Sequence, residues 1–463
     1  MKILFIIYDD EAYIHYFPLN IAYLIPALKQ RGYDQITIYN QDVYHYQEEH
    51  LVDYLKSNHF DVVGIGIVAG YYPYQKLLKI SKAINSLPNR PFYIIGGHGP
   101  SPEPEYFLRK TQADAVAIGE AELSLPNLLD ALSTKRNLSE VRGIAYRDGE
   151  KVIVNEREEL INDIDSLPMP AWEYFPMDYY TLRREVGVKR TERTFQVLTG
   201  RGCPFECNFC YRMESGFRPR SSEAIIEEMQ KLKRDYGVTY FLFADDLLMS
   251  SKRRTIEFCE KMIRANLNTS FICNGRLNYA HPEILTVMKR AGCRFINYGI
   301  ESLDERALRV MKKNLTVEQI TKGVENTIAA DIDPGLNIIF GNIGETAESL
   351  KKGVEFILKY NTYAQTRTIR PVTPYPGSPL YYYAIEKGLL KDVADFYEHK
   401  HINSEFLSVN FTDLSDDDFH RLLCEANKTL LKDYYKHQLE EALDVTEKLY
   451  GNKNKNFRGY RQT

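Results

Sequence analysis

The chain has 463 residues, seven cysteines and a formal net charge of −4. That length allows about three domains, and the acidic balance gives no reason to expect nucleic acid as a partner. The longest apolar run is interrupted by glycines and is shorter than the ~20 residues that span a bilayer, and no secretion signal precedes the first strand-like run. We therefore expect a cytoplasmic protein with no membrane span and no disulfide framework.

Residues 1–140 alternate short apolar runs with amphipathic helical stretches. The runs are KILFII, ITIY, VVGIGIV, FYIIGG and AVAIG. This alternation predicts an α/β domain with a doubly wound, Rossmann-like parallel sheet that is covered by helices on both faces. Ligands of such sheets lie beyond the carboxyl ends of the strands, where this chain carries several glycines. No G-x-G-x-x-G follows the first strand, which disfavours a nicotinamide cofactor.

Residues 141–190 differ from the region before them. GIAYRDGEKVIVNERE predicts a β-hairpin that turns at Asp148-Gly149, and the proline-punctuated DSLPMPAWEYFPMDYY follows it. We expect this segment to be an arm that connects two domains.

From residue 191 to 387 the alternation of strands and helices resumes. Strands are predicted near residues 195–199, 240–243, 270–273, 295–299, 336–340 and 366–370. Six such units predict a partial (β/α)6 barrel of the TIM type, with its chemistry at the carboxyl ends of the strands. Residues 388–463 are charged and predicted to form a helical C-terminal region.

Three cysteines follow the first barrel strand at the spacing C-x-x-x-C-x-x-C: Cys203, Cys207 and Cys210. A structural zinc site would take a fourth cysteine or histidine, and none lies within twenty residues on either side. Iron–sulfur clusters are also held by thiolates, normally four, so three would leave one iron open. The alternatives are a chance group of cysteines or a zinc site that distant ligands complete.

The cysteine motif, with Phe209 directly before its last cysteine and a six-unit barrel around it, resembles the radical S-adenosylmethionine (radical SAM) superfamily. The resemblance implies that the three cysteines bind a 4Fe–4S cluster whose open iron is chelated by S-adenosylmethionine. One electron, from a donor such as flavodoxin or ferredoxin, would then yield a 5'-deoxyadenosyl radical.

The same resemblance assigns later strand ends to S-adenosylmethionine. It places FADDLL near the amino group of this molecule, and YGIES and GLNIIFGNIGET near its ribose, carboxylate and adenine. The candidate ligands are Phe209, Asp245, Asp246, Glu301, Ser302, Asn337 and Gly341. An acid or a serine at such a position could instead cap a helix. Ile343 stands where the family usually has a proline, a departure that affects the loop geometry and not the assignment.

Three stretches of the first region resemble the cobalamin-binding domain of cobalamin-dependent radical SAM enzymes: YPYQKLLKISKAI, FYIIGGHGPSPEPEYFL and DAVAIGEAELSLPNLL. The implied cobalamin contacts are Gly66, Gly96, Gly97, His98, Gly119 and Glu120. The motif Asp-x-His-x-x-Gly, which gives cobalt a histidine in many cobalamin domains, is absent. We therefore expect base-off cobalamin with no histidine on cobalt. The alternative is a Rossmann-like support that holds no cofactor.

The resemblance implies a methyltransferase that acts on an unactivated carbon of a small molecule through a 5'-deoxyadenosyl radical and methylcobalamin. One alternative is a cyclase or ring-forming enzyme without methyl transfer, similar to the anaerobic tetrapyrrole cyclase. Another is a corrinoid or iron–sulfur carrier or sensor without enzymatic activity. The sequence identifies neither the substrate nor a catalytic acid, base or hydrogen donor.

Overall fold

The computed structural model describes residues 1–12, 14–245 and 247–451. Asp246, one of the predicted S-adenosylmethionine ligands, lies outside the described residues.

The first region forms a seven-stranded sheet in the order β2-β1-β3-β4-β5-β6-β7. Its strands are β1 Ile3–Ile7, β2 Ile36–Asn40, β3 Val62–Gly66, β4 Phe92–Gly96, β5 Ala115–Ala117, β6 Ile144–Asp148 and β7 Lys151–Val154. The first five pair in parallel, and the strand order reverses between β1 and β3, which is where doubly wound sheets open a crevice. The predicted Rossmann-like sheet is confirmed.

Helices cover both faces of this sheet. They are α1 Leu19–Gln30, α2 Gln41–Tyr44, α3 Glu48–Ser57, α4 Tyr71–Asn85, α5 Pro104–Thr111 and α6 Ser124–Thr134. Phe5 belongs to the core shared with α1 and α6, whereas its neighbours Leu4 and Ile6 belong to the core shared with α3, α4 and α5. Because successive side chains of a strand point to opposite faces, a strand buried on both sides has to be apolar throughout.

The hairpin predicted at Asp148-Gly149 extends this sheet. Its strand β6 pairs antiparallel with β5, and β7 pairs with β6. This pairing attaches the start of the connecting arm to the first sheet. The predicted division of the chain at residues 140, 190 and 387 stays a prediction.

The second region is a curled half-barrel of six parallel strands in the order β15-β14-β13-β12-β11-β8. Its strands are β8 Arg193–Val197, β11 Val238–Phe243, β12 Ser270–Gly275, β13 Cys293–Glu301, β14 Asp333–Phe340 and β15 Arg370–Pro371. Helix α7 Met177–Tyr180 precedes it, and its covering helices are α8 Ser222–Tyr236, α9 Lys252–Ala265, α10 Pro282–Arg290, α11 Glu305–Val310, α12 Val317–Ala329 and α13 Ala347–Tyr360. The predicted partial barrel is confirmed.

A two-stranded antiparallel ribbon, β9 Gly200–Cys203 with β10 Gly216–Pro219, was not predicted. Gly202 has φ +83, and a Cβ there would collide with the carbonyl oxygen of Gly216. Only glycine therefore allows the two strands to approach this closely. The ribbon fixes both ends of the loop that carries the cysteine motif.

The half-barrel has a convex face covered by helices and a concave face on the other side. Phe241, Phe271 and Ile296 belong to the core shared with the helices. Residues one position away, Tyr240, Ile272 and Phe295, form a separate apolar cluster with Val186 and Val188 of the connecting arm. The arm thus covers the amino end of the concave face.

The C-terminal region contacts both sheets. It contains α14 Pro379–Glu386, α15 Val393–Asp395, a π-helical turn Phe396–Lys400 and α16 Asp416–Gly451. Tyr381, Phe396 and Tyr397 are buried in the core of the first sheet, whereas Phe419 of α16 is buried in the core of the half-barrel. No helix in the described ranges is both long and apolar enough to cross a membrane.

Candidate functional site

The three cysteines of the motif share one loop. Cys203 ends β9, Cys207 is buried and Cys210 is exposed. The Cys210 thiol donates a hydrogen bond to Cys207. Among the described residues, no three potential ligands already stand at metal-binding spacing. A 4Fe–4S cluster does not need that spacing, because each cysteine ligates a different iron.

Two buried cations stand beside these thiols. The hydrogen bond from Cys210, together with the charges of Lys313 and Arg276, lowers the pKa of Cys207 to about 6. Lys313 is also paired with Glu301, at 2.9 Å between Nζ and Oε1. Because the thiolate is the form that binds iron, this environment and the set of three thiols fit an iron–sulfur cluster. Sequence analysis missed both cations, since neither lies at a motif spacing.

Arg276 also holds the cysteine loop in place. Its guanidinium lies 3.6 Å from the ring centroid of Phe205, and its Nη2 donates to the backbone carbonyl of Lys313. On the other side of the loop, the buried amides of Asn208 and Asn342 donate to each other's oxygens at 3.1 and 2.9 Å. The loop is thus fixed to the ends of β12 and β14.

Of the predicted S-adenosylmethionine ligands, Asp245 lies nearest to the end of β8. Its carboxylate accepts hydrogen bonds from the backbone N–H and the Oγ1 of Thr199, both at 2.8 Å. Burial raises the pKa of Asp245, and Thr199 partly opposes that shift. The carboxylate therefore already stabilises the start of the ribbon. Phe209 is partly exposed within the cysteine loop.

Ser302 and Gly341 meet at a buried carboxylate that was not predicted, that of Glu345. It accepts from Ser302 Oγ at 2.8 Å and from the N–H groups of Gly341 and Asn342 at 2.9 and 3.0 Å. Burial raises the pKa of Glu345 to about 7. Of the other predicted ligands, Glu301 lies beside the thiols through Lys313, and Asn337 lies lower on the concave face, where it bonds to Asn297. Their contacts to S-adenosylmethionine stay predictions.

A cavity of about 550 Å³ lies between the two sheets. All six predicted cobalamin residues line it: Gly66, Gly96, Gly97, His98, Gly119 and Glu120. From the other side, Cys203, Asp245 and residues 211–214 line the same cavity. This volume is in the range of cofactor sites, and the cavity lies at the carboxyl ends of the strands, where doubly wound sheets bind ligands.

The cavity continues as an apolar slot along one face of the first sheet. The slot is lined by Phe5, Val62, Gly64, Ile94, Leu125 and Leu129. A Cβ on Gly64 would lie 2.9 Å from the Phe5 ring, so a side chain there would displace a residue that lines the slot. A flat heterocyclic group such as the base of a cobalamin tail fits such a slot, and this is the structural observation that favours cobalamin over an empty support.

Glu120 bridges the two parts of the molecule. Its carboxylate is ion-paired with Arg201 at 3.0 Å and accepts from Arg218 Nη1 at 3.1 Å. Burial opposes ionisation, but the two arginines lower the pKa of Glu120 below its usual value. Its side chain thus attaches the ribbon to the first sheet, and its contact to cobalamin stays a prediction.

Two histidines line the cavity, His98 and His15. The ring of His98 lies edge-on to Tyr211 with centroids 5.7 Å apart. His15 was missed by sequence analysis, although it follows the first strand, where ligand-binding loops are expected. Its Nε2 lies 3.3 Å from Asp10 Oδ2.

Comparison with known families gives two matches in one chain. The model of the radical SAM superfamily matches residues 197–357, and the model of the B12 binding domain matches residues 7–129. The chain is 30% identical over 433 residues to an uncharacterized methyltransferase of Pyrococcus horikoshii, covering 91% of this chain and 90% of that protein. It is 26% identical over 395 residues to the anaerobic magnesium-protoporphyrin IX monomethyl ester cyclase of Rubrivivax gelatinosus, covering 83% of this chain and 69% of that protein.

Solved structures share the fold. The radical S-adenosylmethionine methyltransferase TsrM of Kitasatospora setae, solved with cobalamin and a 4Fe–4S cluster bound, matches with a TM-score of 0.67 at 17% identity. The match covers 84% of this chain and 75% of TsrM. The cobalamin-dependent S-adenosylmethionine radical enzyme OxsB matches with a TM-score of 0.65 at 19% identity, covering 83% of this chain and 55% of OxsB.

Proposed function

Because this chain belongs to the cobalamin-dependent family of radical SAM enzymes, we propose that it is a methyltransferase that acts on an unactivated carbon of a small molecule. The observation that carries the proposal is the shared cavity, which touches both the strand ends of the B12-binding domain and Cys203 of the cluster motif. A methyl carrier and a radical source held there would face the same substrate. The similarity to a protein described as a methyltransferase along nine-tenths of both chains supports the same activity.

When bound, the cluster with S-adenosylmethionine supplies a 5'-deoxyadenosyl radical, and cobalamin supplies a carrier for the methyl group. The protein's own part is to hold and shield them. Cys203, Cys207 and Cys210 would ligate the cluster, and Lys313 and Arg276 would stabilise its negative charge. The contacts between Glu120 and the ribbon keep the first sheet against the cysteine loop, which limits access of water to a reactive radical.

The expected test is anaerobic reconstitution with iron, sulfide and hydroxocobalamin, followed by reductant and S-adenosylmethionine. Methyl transfer predicts two nucleoside products by mass spectrometry, 5'-deoxyadenosine and S-adenosylhomocysteine, the second only when cobalamin is present. Cys207→Ala should abolish both and lower the iron content. Cys424→Ala is the matched control, because Cys424 is exposed and lies outside the motif. The radical assignment would be overturned if the native chain yielded neither nucleoside and Cys207→Ala behaved in the same way.

A cyclising enzyme is the second candidate, because the chain resembles an anaerobic cyclase over 83% of its length. In the same experiment it predicts 5'-deoxyadenosine without cobalamin-dependent S-adenosylhomocysteine.

We also propose a flavodoxin or ferredoxin as the electron donor and a cytoplasmic location.

We further propose that cobalamin binds base-off, with no histidine on cobalt. His15 and His98 line the cavity, and His15 is already engaged with Asp10. The EPR spectrum of the bound cobalt(II) form should therefore show no hyperfine splitting from an axial nitrogen. A three-line splitting that disappears in His15→Ala would contradict this and identify His15 as a ligand, while His98→Ala serves as the control for the other histidine.

A further inference from the structure

The concave face of the half-barrel carries a polar layer above its apolar floor. The floor consists of Tyr240, Ile272 and Phe295 with the two valines of the arm. Two residues beyond Ile272 on β12 lies Asn274, and two residues beyond Phe295 on β13 lies Asn297. These two asparagines are paired in register. A third asparagine, Asn337 of β14, bonds to Asn297. All three are partly exposed, so solvent reaches this layer.

The three amides form a chain of hydrogen bonds with one direction. Asn274 Nδ2 donates to the backbone carbonyl of Asp245 at 3.0 Å, Asn297 Nδ2 donates to Asn274 Oδ1 at 3.2 Å, and Asn337 Nδ2 donates to Asn297 Oδ1 at 2.7 Å. Arg367 completes the chain, because its Nη1 donates to Asn337 Oδ1 at 3.0 Å. These hydrogen bonds fix the Arg367 guanidinium, and they use only one of its five N–H groups.

Arg367 differs from other inward arginines of this protein. Arg201, Arg220 and Arg294 each have a carboxylate within ion-pair distance. Arg276 donates to two backbone carbonyls. Arg367 has no acidic partner among the described residues, and burial lowers its pKa to about 10. A desolvated charge without a counter-charge is costly, so an anion that binds here gains a strong electrostatic interaction.

The guanidinium lies on the side of the sheet that faces the cluster motif. Its carbon is 5.6 Å from the ring centroid of Phe295, which places it on the concave face. Along β13, Gly299 lies between Asn297 and Glu301, the partner of Lys313 beside the thiols. Four residues of strand separate the amide layer from that end by about 13 Å. The Glu301–Lys313 pair lies over Gly299, since a Cβ there would collide with Glu301 Oε1 and lie 3.0 Å from Lys313 Nζ.

We propose that Arg367 binds an anionic group of the substrate, a carboxylate or a phosphate, on the concave face between the apolar floor and the cysteine loop. The inference rests on the proposed function and specifies its substrate class. A guanidinium binds two oxygens of such a group side by side. One unassigned N–H each of Asn274 and Asn297 can donate to the same molecule.

The carboxylate of S-adenosylmethionine is a less suitable partner. The family resemblance places that carboxylate on the open iron, at the level of the thiols. Asn337, which holds Arg367, lies three residues before the end of β14, about 10 Å below that level.

The test is chemical modification of the reconstituted holoenzyme with phenylglyoxal, an arginine reagent, followed by peptide mass spectrometry. The probes are inorganic phosphate and acetate, added separately, with S-adenosylmethionine as a third condition. We expect Arg367 to react, and a probe at about ten times its dissociation constant to slow that reaction about tenfold. The internal control is Arg294, whose guanidinium is already bound by Glu192, and neither probe should change its rate. Phosphate protection without acetate protection would assign a phosphate, and the reverse would assign a carboxylate.

A second measurement uses Arg367→Gln and equilibrium dialysis with labelled probe. The variant should lose binding of the protecting anion while its iron and cobalt contents match those of the native chain. Lack of protection by either small anion, or protection by S-adenosylmethionine alone, would overturn the inference. The nucleoside products of the same preparation distinguish the two proposals. If both nucleosides form but no anion protects Arg367, only the anion site is contradicted. If an anion protects Arg367 but the nucleosides do not form, methyl transfer is contradicted and the anion site stands.

Discussion

At the scale of single residues, Glu345 shows how burial and hydrogen bonding compete. The carboxylate is 3% exposed and accepts three hydrogen bonds, yet burial has the larger effect and raises its pKa to about 7. The folded state therefore binds a proton between about pH 4.5 and 7 that the unfolded state has released. The contribution of Glu345 to stability is thus complete below that range and is lost as the pH rises through about 7.

We expect the free energy of unfolding of the native chain, relative to Glu345→Gln, to fall by about 2 to 3 kcal/mol from pH 5 to pH 8. Chemical denaturation at several pH values would measure this difference. Glu348→Gln is the matched control, because Glu348 is exposed in the first turn of α13, three residues after Glu345. Parallel pH profiles for the native chain and Glu345→Gln would show that the carboxylate is ionised throughout.

The cysteine motif could be predicted from the sequence, whereas the charged residues that the fold brings near it could not. Cys203, Cys207 and Cys210 were predictable because all three lie in one loop, so their spacing is visible in the sequence. Lys313 and Arg367 were not, because each has its partner on a different element: Lys313 bonds to Glu301, 12 residues away, and Arg367 to Asn337, 30 residues away. Only the folded sheet brings such residues together.

At the scale of elements, the apolar strands were predicted because both of their faces are buried and the runs are continuous. The ribbon escaped prediction because GRGC and GFRP contain glycine, proline and arginine, which usually indicate loops. Tertiary pairing across the cysteine loop, and not local preference, makes these segments extended. The last barrel strand is shorter than predicted, with only Arg370–Pro371 paired to β14.

Helix α16 is attached to the half-barrel by its amino-terminal half. Phe419 is fully buried, and its ring stacks on Phe340 at the end of β14 with centroids 4.8 Å apart. Phe419→Ala should lower the free energy of unfolding by about 3 to 5 kcal/mol, since it leaves a large cavity. Leu443→Ala on the same helix should change it by less than about 0.5 kcal/mol, because Leu443 is 53% exposed.

Chemical denaturation of both variants would measure these changes. Equal effects of the two substitutions would mean that the outer half of α16 is packed in solution as firmly as its inner half.

At the scale of the whole molecule, the C-terminal region joins the two sheets through a small polar cluster. Glu398 accepts hydrogen bonds from Tyr106 and Tyr74 at 2.8 and 3.1 Å, and Lys110 pairs with it at 2.6 Å. The rings of Tyr74 and Tyr397 stack beside this cluster, with centroids 4.7 Å apart. The π-helical turn is thus attached to α4 and α5 of the B12-binding domain.

We expect Glu398→Ala to weaken this attachment by about 1 to 2 kcal/mol, because the cluster is partly exposed and screened by solvent. Hydrogen exchange followed by mass spectrometry should then show faster exchange in α4, α5 and the π-helical turn, and unchanged exchange in α9. Glu386→Ala, in an exposed pair with Lys387, is the control. Unchanged exchange in α4 and α5 would show that the aromatic stacking suffices for the attachment.

This attachment also sets the order in which the molecule can be completed during synthesis. Tyr106 and its partner Glu398 are separated by 292 positions along the chain. At a translation rate of about 5 to 20 residues per second, the B12-binding domain would wait about 15 to 60 s before the segment that covers Tyr74 and Phe107 leaves the ribosome. During that interval its aromatic surface would be open to chaperones, and the first domain would be ready to bind its ligand before the enzyme is closed.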